Sequence, residues 1–367
     1  MSLRARFEEQ GDGYVFGLAR IGFALLLTIQ TIGLLRATLE SGYFGDSFHL
    51  PILPDALVPS ASVYLGLLGL QLVLGVFTVG GWFPREALAL RALLGIHWLL
   101  CDRLQYHNNR FALLLLAFLC AFTPCDRSFL LFRGRAHTLA PAERRAPTWA
   151  RYLLALQISA IYLSSGGGKL IDPDWFGGQT MFVRFGYGIE RFAQRGWPIP
   201  EWWVALVSMP WFASVASKLA ILLELSLAIG LWWGRTRIVA LWAGVLFHIG
   251  IEVSARVEFF SWVMWVGYVA AFVTPELRER TLIIDPAWRF AKGLRRTASG
   301  LDWLARLRVE EGPGGNEGPV VLVDRDGRRA SGLGAAAGLA RILPALFPFW
   351  GPLALFSKLT ARTVSRS

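Results

Sequence analysis

The sequence is poor in charged residues for its length. Only 17% of its 367 residues are charged, whereas a soluble globular protein carries roughly 25%. Apolar residues make up 54% of the chain, so the polar surface that a soluble fold needs is missing. This composition excludes an ordinary soluble globule and indicates an integral membrane protein.

Cysteine is also scarce, and common ligand-binding motifs are absent. Cys101, Cys120 and Cys125 form no CxxC pair, and we expect Cys101 and Cys125 near opposite membrane faces, which argues against a disulfide. The sequence contains no P-loop and no GxGxxG motif after a strand. His248 and Glu252 stand at helical spacing, but no third ligand is close in sequence, so we predict no metal site.

The basic residues are distributed in a way that indicates lipid partners. The net charge is +11, but the arginines lie in short clusters between apolar runs, which does not favour a nucleic-acid partner. Such clusters are typical of cytoplasmic loops in membrane proteins. The 16 tryptophans agree with this, because indole rings prefer the headgroup interface. We therefore expect membrane lipids as partners and no nucleic acid.

Apolar runs recur along most of the chain. A helix needs about 20 residues to cross a bilayer, and eight segments meet or approach this length. The predicted fold class is an all-α integral membrane bundle of about eight transmembrane helices with a small α/β-like cytoplasmic tail. The predicted spans are 14–36, 61–81, 87–101, 111–132, 149–166, 212–233, 238–255 and 258–274.

The loops between these runs differ in basic content. Loop 133–148 contains four arginines, loop 234–237 contains two in four residues and loop 82–86 contains one, whereas the longer loop 37–60 contains none and loop 102–110 contains two. By the positive-inside rule we predict a multi-pass protein of the cell membrane with both termini in the cytoplasm. The long loop between the fifth and sixth spans is then external.

The chain changes character after Pro275. Residues 276–319 are basic and amphipathic, which indicates either a helix on the inner membrane surface or a solvated linker. In residues 320–367, VVLVDRDGRR predicts a strand and a turn, and GLGAAAGLARILPAL predicts a helix. We therefore divide the chain into a transmembrane domain (1–275), a linker (276–319) and a tail (320–367).

The stretch SSGGGKLIDPDW contains the most informative candidate site. Gly167 and Gly168, which precede Lys169, leave room for a ligand to approach the backbone or for the helix to unwind. At the edge of an apolar bundle, desolvation disfavours the charged form of Lys169, so its amine can act as a general base. The structural alternative is a lysine that extends to the interface beside the aromatic anchor Trp175.

Two further clusters are candidates. His107, Asn108 and Asn109 stand at the outer end of the fourth span, where they can hydrogen-bond a ligand oxygen or cap a helix. His248 lies within an apolar span. Burial of an ionisable group in a membrane is costly and usually has a functional reason, which applies to Glu224 as well.

Together these clusters resemble one family. The chain is similar over about residues 10–275 to the HTTM-domain proteins, whose membrane domain is shared with vitamin K-dependent gamma-carboxylase. The most specific match is GGGKLIDPDWFG, which resembles the family's glycine-containing turn, lysine–leucine pair and Asp-x-Asp-Trp run. The resemblance places Lys169 on the catalytic base and His248 on a later histidine. Asn109 falls on another family histidine, with His107 two residues earlier.

This resemblance implies a membrane enzyme with its active site toward the outer side. It would oxygenate a reduced quinone of the vitamin K or menaquinone type to an epoxide, with O2 and CO2 as co-substrates and no metal. The reaction would drive proton abstraction and carboxylation of glutamate in a secreted peptide or protein. The implied catalytic residues are Lys169, His248 and Asn109, and the binding residues are His107, Asn108, Tyr162, Gly167, Gly168, Trp175 and Glu224.

The residues alone do not decide between this enzymatic function and two others. A non-catalytic HTTM accessory that binds lipid or quinone for a secreted peptide is the main alternative, and a transporter is a third. The tail segment VVLVDRDGRRASGLGAAAGLARIL resembles the second half of a DCC-type thiol-oxidoreductase domain. The half with the cysteine pair is missing, and no cysteine follows Cys125, so we expect no thiol chemistry there.

The predicted orientation is testable at Gln194, in the long external loop. A Gln194→Cys variant, made in a background without the three native cysteines, should react with an impermeant thiol reagent added to intact cells. Labelling that requires permeabilised cells would reverse the orientation.

Overall fold

The protein is described by a computed structural model that divides into two compact units, Met1–Thr274 and Pro275–Ser367. Parts of the predicted inside loops 133–148 and 234–237 lie outside the described residues, so the orientation stays a prediction. The structure describes the whole chain except residues 1–7, 9, 45–49, 134–142, 144, 234–235, 255–256, 274–279, 303–305, 314–316 and 365–367.

The first unit consists of helices joined by turns, with one short antiparallel pair of strands, β1 (Gln10–Asp12) and β2 (Arg145–Pro147). Each of the eight predicted spans overlaps one helix. The helices are α1 (Tyr14–Ser41), α2 (Ala61–Gly80), α3 (Pro84–Cys101), α4 (Asn108–Cys120), α5 (Ala150–Ile171), α6 (Pro173–Gly177), α7 (Gln179–Gln194), α8 (Glu201–Val207), α9 (Pro210–Gly230), α10 (Arg237–Ser254) and α11 (Phe260–Phe272).

Four of these helices, α1, α2, α9 and α10, are long and apolar enough to cross a membrane. These helices fit a membrane protein, but the predicted number of about eight spans is not confirmed. Helices α4 and α11 have 13 residues each, which at 1.5 Å per residue gives about 20 Å, less than a bilayer core of about 30 Å. Helix α3 carries three charged residues, and α5 contains a run of serine and glycine.

Helix α4 ends well before the predicted boundary at residue 132. Pro124 has no N–H group and disfavours helical geometry in the residue before it. The hydroxyl of Thr123 donates to the carbonyl of Cys120 at 2.6 Å and so satisfies a group at the helix end. The apolar residues after Pro124 therefore form a turn that packs on the bundle.

Arg20 of α1 is fully buried and fastens this turn. Its Nη1 donates to the carbonyl oxygens of Cys125 at 2.7 Å and Ser128 at 3.2 Å, and its Nη2 donates to that of Phe129 at 2.9 Å. Where no water is available, a guanidinium and backbone carbonyls must satisfy each other. Arg20 thus joins the start of α1 to the turn after α4.

A second buried arginine, Arg91 of α3, joins three helices. Its Nη1 donates to Ala24 O at 3.0 Å and its Nη2 to Thr28 Oγ1 at 2.9 Å, both on α1. Its Nε donates to Gln71 Oε1 of α2 at 3.1 Å, and Gln71 Nε2 donates back to Arg91 O at 2.7 Å. Each guanidinium nitrogen therefore has a partner, which removes most of the penalty of burying it.

The second unit contains a four-stranded sheet in the order β4-β3-β5-β6. Strand β3 pairs parallel to β4 and antiparallel to β5, which confirms a small α/β-like region near the C-terminus. The strands are β3 (Arg280–Ile284), β4 (Leu307–Glu311), β5 (Val320–Val323) and β6 (Arg329–Ser331), and the helices are α12 (Ala291–Leu301), α13 (Gly332–Ile342) and α14 (Trp350–Val364).

The strand, turn and helix predicted between residues 320 and 346 are confirmed by β5, β6 and α13. The predicted boundary at residue 319 between a linker and a tail needs correction. Strands β3 and β4 precede that boundary and share a sheet with β5, and Leu282 and Ile284 share a core with Leu322 and Leu339. The basic average composition of residues 276–319 hid two short strands, because a short strand becomes stable only with partner strands, and these can be distant in sequence.

The anchor at Arg20 gives a stability prediction. Arg20→Met should lower the unfolding free energy by roughly 2–4 kcal/mol, because the buried carbonyls lose their donors. Thermal unfolding of the purified protein in micelles measures this effect. The control is Arg36→Met, an exposed arginine on the same helix. Equal melting temperatures for both variants would contradict the anchoring role.

Candidate functional site

A cavity of about 640 Å³ lies among α4, α5, α6, α7, α9, α10 and α11 of the first unit. This volume is in the range of small-molecule sites. Phe111, Ile161 and Phe247 are among the apolar side chains of its wall. Its polar lining includes Asn108, Asn109, Gln157, Lys169, Arg184 and Glu224.

Lys169 and Glu224 form an ion pair at the wall of this cavity. Lys169 Nζ lies 2.6 Å from Oε1 and 2.7 Å from Oε2 of Glu224, and it donates to Ser165 Oγ at 2.8 Å. The exposed fraction is 18% for the lysine side chain and 2% for the glutamate side chain. Breaking such a pair leaves an uncompensated buried charge, which is strongly destabilising. The cavity is therefore bordered by an ammonium and a carboxylate that depend on each other.

Gly166 allows the two helices that carry this pair to approach each other. A Cβ added at Gly166 would lie 3.1 Å from the Leu225 side chain and 3.2 Å from the Cβ of Glu224. These distances are tighter than ordinary van der Waals contact, so a larger residue would push α5 away from α9. Of the three consecutive glycines, Gly166 is thus the one that the packing of α5 on α9 requires.

Gly167 and Gly168, predicted as binding residues, play no such part. Helix α5 continues through both glycines to Ile171, so the structure does not show the unwinding that the sequence suggested. Apart from the backbone of α5 itself, no described atom lies within 4 Å of a Cβ added at either position, and neither residue is among the described lining of the cavity. The helix persists because Gly166 and Lys169, on either side, are both held against α9.

The ring of Trp175 contacts two cations of the cavity wall. Lys169 Nζ lies 4.9 Å and Arg184 Cζ lies 5.2 Å from the ring centroid, both within cation–π range. Asp172 caps α6 by accepting from the backbone N–H of Trp175 at 3.2 Å, and the hydroxyl of Ser217 donates to the carbonyl of Trp175. The backbone that carries the ring is therefore fixed to both α6 and α9.

Arg184 was not predicted as a site residue. In the sequence it lies in the long loop that is predicted to be external. Trp175 and Arg184 are nine residues apart and come together because α7 follows α6 directly, with a turn at Gly178 (φ +94°). A Cβ added at Gly178 would lie 2.5 Å from the backbone of Ser214, so this turn requires glycine. The signal in the sequence was the GG pair after DPDWF.

His248 is buried behind the cavity rather than in its wall. Its Nε2 lies 2.6 Å from the hydroxyl of Tyr162, which also hydrogen-bonds Tyr268. Its Nδ1 has no hydrogen-bond partner in the part of the chain that the structure describes. Phe247 and Phe260 pack on its ring with centroids 5.4 Å away, and they line the cavity instead. Tyr268 is not predictable from the sequence as a site residue, because it is an uncharged residue within an apolar helix.

The start of α4 brings two of the three predicted polar residues to the cavity. Asn108 and Asn109 line it, whereas His107 precedes the helix and is exposed. The His107 side chain makes no capping hydrogen bond. Of the predicted catalytic residues, Lys169 and Asn109 therefore line one cavity, and His248 does not.

A bidentate pair between Arg110 and Glu258 joins the start of α4 to the loop before α11. Arg110 donates from Nε at 3.0 Å and from Nη2 at 3.1 Å to the two carboxylate oxygens. These hydrogen bonds lower the pKa of Glu258 from its ordinary value, against the opposing effect of partial burial. The pair fixes the spacing of two segments that border the cavity, where Asn109 and Phe260 lie.

The side chains around the cavity offer few ligand types for a metal. Among the described residues, no group of three or more His, Cys, Asp or Glu is arranged to hold a metal ion. The three cysteines are buried and free, and none lines the cavity. The chemical groups that the cavity presents are an ammonium, a carboxylate, a guanidinium, hydroxyls and amides.

Comparison with models of protein families gives a match over most of the first unit. A family model of the HTTM domain matches residues 9–276. The matched region contains every residue that lines the cavity. No curated protein and no solved structure matches the chain significantly.

The Arg110–Glu258 pair predicts a pH dependence. Because the folded-state pKa of Glu258 lies below its unfolded value, the pair contributes stability above the unfolded value, near 4.3. That contribution is lost as the pH falls through the folded pKa. It should not exceed about 1 kcal/mol, since the carboxylate is half exposed and screened by solvent.

Melting temperatures of wild type and Glu258→Gln, taken from pH 6 to pH 3, measure this contribution. The two proteins should differ at pH 6 and converge in acid. Glu190→Gln, which neutralises an exposed glutamate on α7, serves as the control. A constant difference between wild type and Glu258→Gln across this range would show that Glu258 does not titrate as the pair requires.

Proposed function

The chain belongs to the HTTM-domain family, and on that basis we propose that it is a membrane enzyme of the vitamin K-dependent gamma-carboxylase type. Its proposed substrate is a reduced isoprenoid quinone of the vitamin K or menaquinone type, bound in the cavity beside Lys169. The co-substrates are O2, CO2 and a glutamate side chain of a secreted peptide or protein. The observation that carries the proposal is the Lys169–Glu224 pair in the wall of a cavity of ligand size.

The lining of the cavity is compatible with a quinol head group. Phe111, Phe247 and Phe260 offer aromatic faces for a flat ring. Asn108 and Asn109 offer amide donors and acceptors for the ring oxygens. A volume of about 640 Å³ leaves room for more than the ring alone, as a reaction with a second substrate requires.

Lys169 and Glu224 act as one proton-transfer unit in this proposal. Within the pair, Lys169 passes a proton to Glu224, because two neutral groups are less costly than two charges in an apolar site. The free amine of Lys169 then accepts the proton of a quinol hydroxyl, as a general base. Ser165, whose hydroxyl lies 2.8 Å from Nζ, orients the amine during this transfer.

The remaining residues stabilise charge and position the wall. When bound, the quinol supplies the reducing equivalents: quinol and O2 give quinone epoxide and water, and this oxidation drives replacement of a glutamate C–H proton by CO2. The amide of Asn109, at the position of a family histidine, donates a hydrogen bond to the negative charge that develops. His248, with Tyr162 and Tyr268, has a positioning role behind Phe247.

A second candidate function is a non-catalytic accessory that binds lipid or quinone for a secreted peptide. The hydrogen bonds of Lys169 favour this accessory function, because the ammonium already donates to Ser165 and to both carboxylate oxygens of Glu224. In this candidate the pair only stabilises the packing of α5 on α9, and a ligand is held without turnover.

The Lys169→Arg variant distinguishes the two candidates. Arginine keeps the positive charge beside Glu224 but does not give up its proton at any ordinary pH. We expect menaquinol-dependent O2 consumption by purified wild type and a rate at least about 100-fold lower in the variant. Lys218→Arg is the matched control, since Lys218 is exposed on α9, hydrogen-bonds Ser214 in its own helix turn and lies over the ring of Phe176, outside the cavity lining.

Mass spectrometry of retained small molecules completes the test. The enzyme proposal expects a quinone bound to wild type and an epoxide product after incubation with menaquinol and O2. Full activity of Lys169→Arg would remove the base role of the lysine. A wild type that retains phospholipid alone and consumes no quinol would favour the accessory function.

A further inference from the structure

Arg184 places a positive charge in the cavity without an acidic partner. Its guanidinium lines the same cavity as Lys169 and Glu224. Among the described residues, no carboxylate pairs with it and no hydrogen bond engages it, and its contact is with the ring of Trp175. The neighbouring Arg191 on the same helix differs, since it donates to the carbonyl of Val253 at 2.9 Å. Arg184 is therefore available to a ligand.

The charges that line the cavity do not cancel. Among the described residues of the wall, the ionisable ones are Lys169, Arg184 and Glu224, and Lys169 and Glu224 neutralise each other. One positive charge remains, on a side chain that is half buried. A charge removed from water without a counter-charge is costly, and a bound anion offsets that cost. The cavity as a whole is thus selective for a negatively charged ligand.

We propose that Arg184, positioned on Trp175, recognises the side-chain carboxylate of a glutamate-containing peptide. This inference rests on the proposed function and names the residue that binds its acidic substrate. The planar fork of arginine matches a carboxylate with two parallel hydrogen bonds. The contact with Trp175 limits the orientations of the guanidinium, so less freedom is lost when the carboxylate binds.

The position of Arg184 also suits the chemistry. Lys169 and Arg184 contact the same indole ring at 4.9 and 5.2 Å, so a carboxylate held by Arg184 lies near the proton-transfer pair. Removing a proton from the carbon beside a carboxylate adds a second negative charge to the substrate. A guanidinium bonded to that carboxylate stabilises this charge, as preorganised donors do at other reaction centres.

Binding of blocked tripeptides to the full-length protein in micelles tests the inference. The probes are acetyl-leucyl-glutamyl-leucyl amide, its glutamine analogue and inorganic phosphate, measured by calorimetry without quinol. Wild type should bind the glutamate peptide at least about tenfold more tightly than the glutamine peptide, and Arg184→Gln should lose this preference. Arg184→Lys should keep part of it, because lysine retains the charge but not the fork.

Arg195→Gln is the matched control, because Arg195 directly follows the last residue of the same helix, is exposed and stacks on Trp197 away from the cavity. It should bind both peptides as wild type does. Equal affinity of wild type for the two peptides would overturn the inference, even if Arg184→Gln fails to fold. An unchanged preference in Arg184→Gln, or Arg184-dependent binding of phosphate without binding of the glutamate peptide, would also overturn it.

The binding measurement is independent of turnover. A wild type that binds the glutamate peptide through Arg184 but consumes no quinol would contradict the proposed enzymatic activity and support the carboxylate-binding site. A wild type that consumes quinol but does not prefer the glutamate peptide would support the proposed enzymatic activity and contradict the role of Arg184 in binding the substrate.

Discussion

The ion pair between Lys169 and Glu224 is the interaction on which the site depends. Two charges in apolar surroundings are tolerable only while they remain in contact, and they are in contact because Gly166 lets α5 approach α9. Ser217 of α9 also holds the backbone of Trp175, whose ring contacts Lys169, and the turn at Gly178 brings Arg184 to the same ring. Contacts to α9 and one glycine turn therefore arrange an ammonium, a carboxylate, an indole and a guanidinium around a single cavity.

The rest of the first unit follows a related constraint. A chain with few charges and little water around its helices must satisfy each buried polar group internally. Arg20 and Arg91 hydrogen-bond no carboxylate in the part of the chain that the structure describes, and they use carbonyl, hydroxyl and amide oxygens instead. The hydrogen bonds of these two arginines hold α1 to α2, α3 and the turn after α4. Of the charged groups that line the cavity, the Arg184 guanidinium is the one without a hydrogen-bond partner among the described residues.

How far the sequence predicts this structure depends on the range of each interaction. The membrane class and the helix positions follow from composition and apolar runs, which are local. Lys169 and Asn109 were recognised from local motifs, and both line the cavity. Arg184 and the exact role of Gly166 were missed, since they depend on which helices pack together. Likewise, the strand at Arg280–Ile284 was hidden because its partners are distant in the chain.

The central claim is that a quinol ring binds beside the Lys169–Glu224 pair. Cryo-electron microscopy of the protein in lipid nanodiscs, with menaquinol added under anaerobic conditions, tests it most directly. The account predicts density for the ring inside the cavity, with a ring oxygen within about 2.7–3.2 Å of Lys169 or Asn109. A ring located elsewhere, or a cavity filled by a lipid acyl chain under saturating menaquinol, would contradict it.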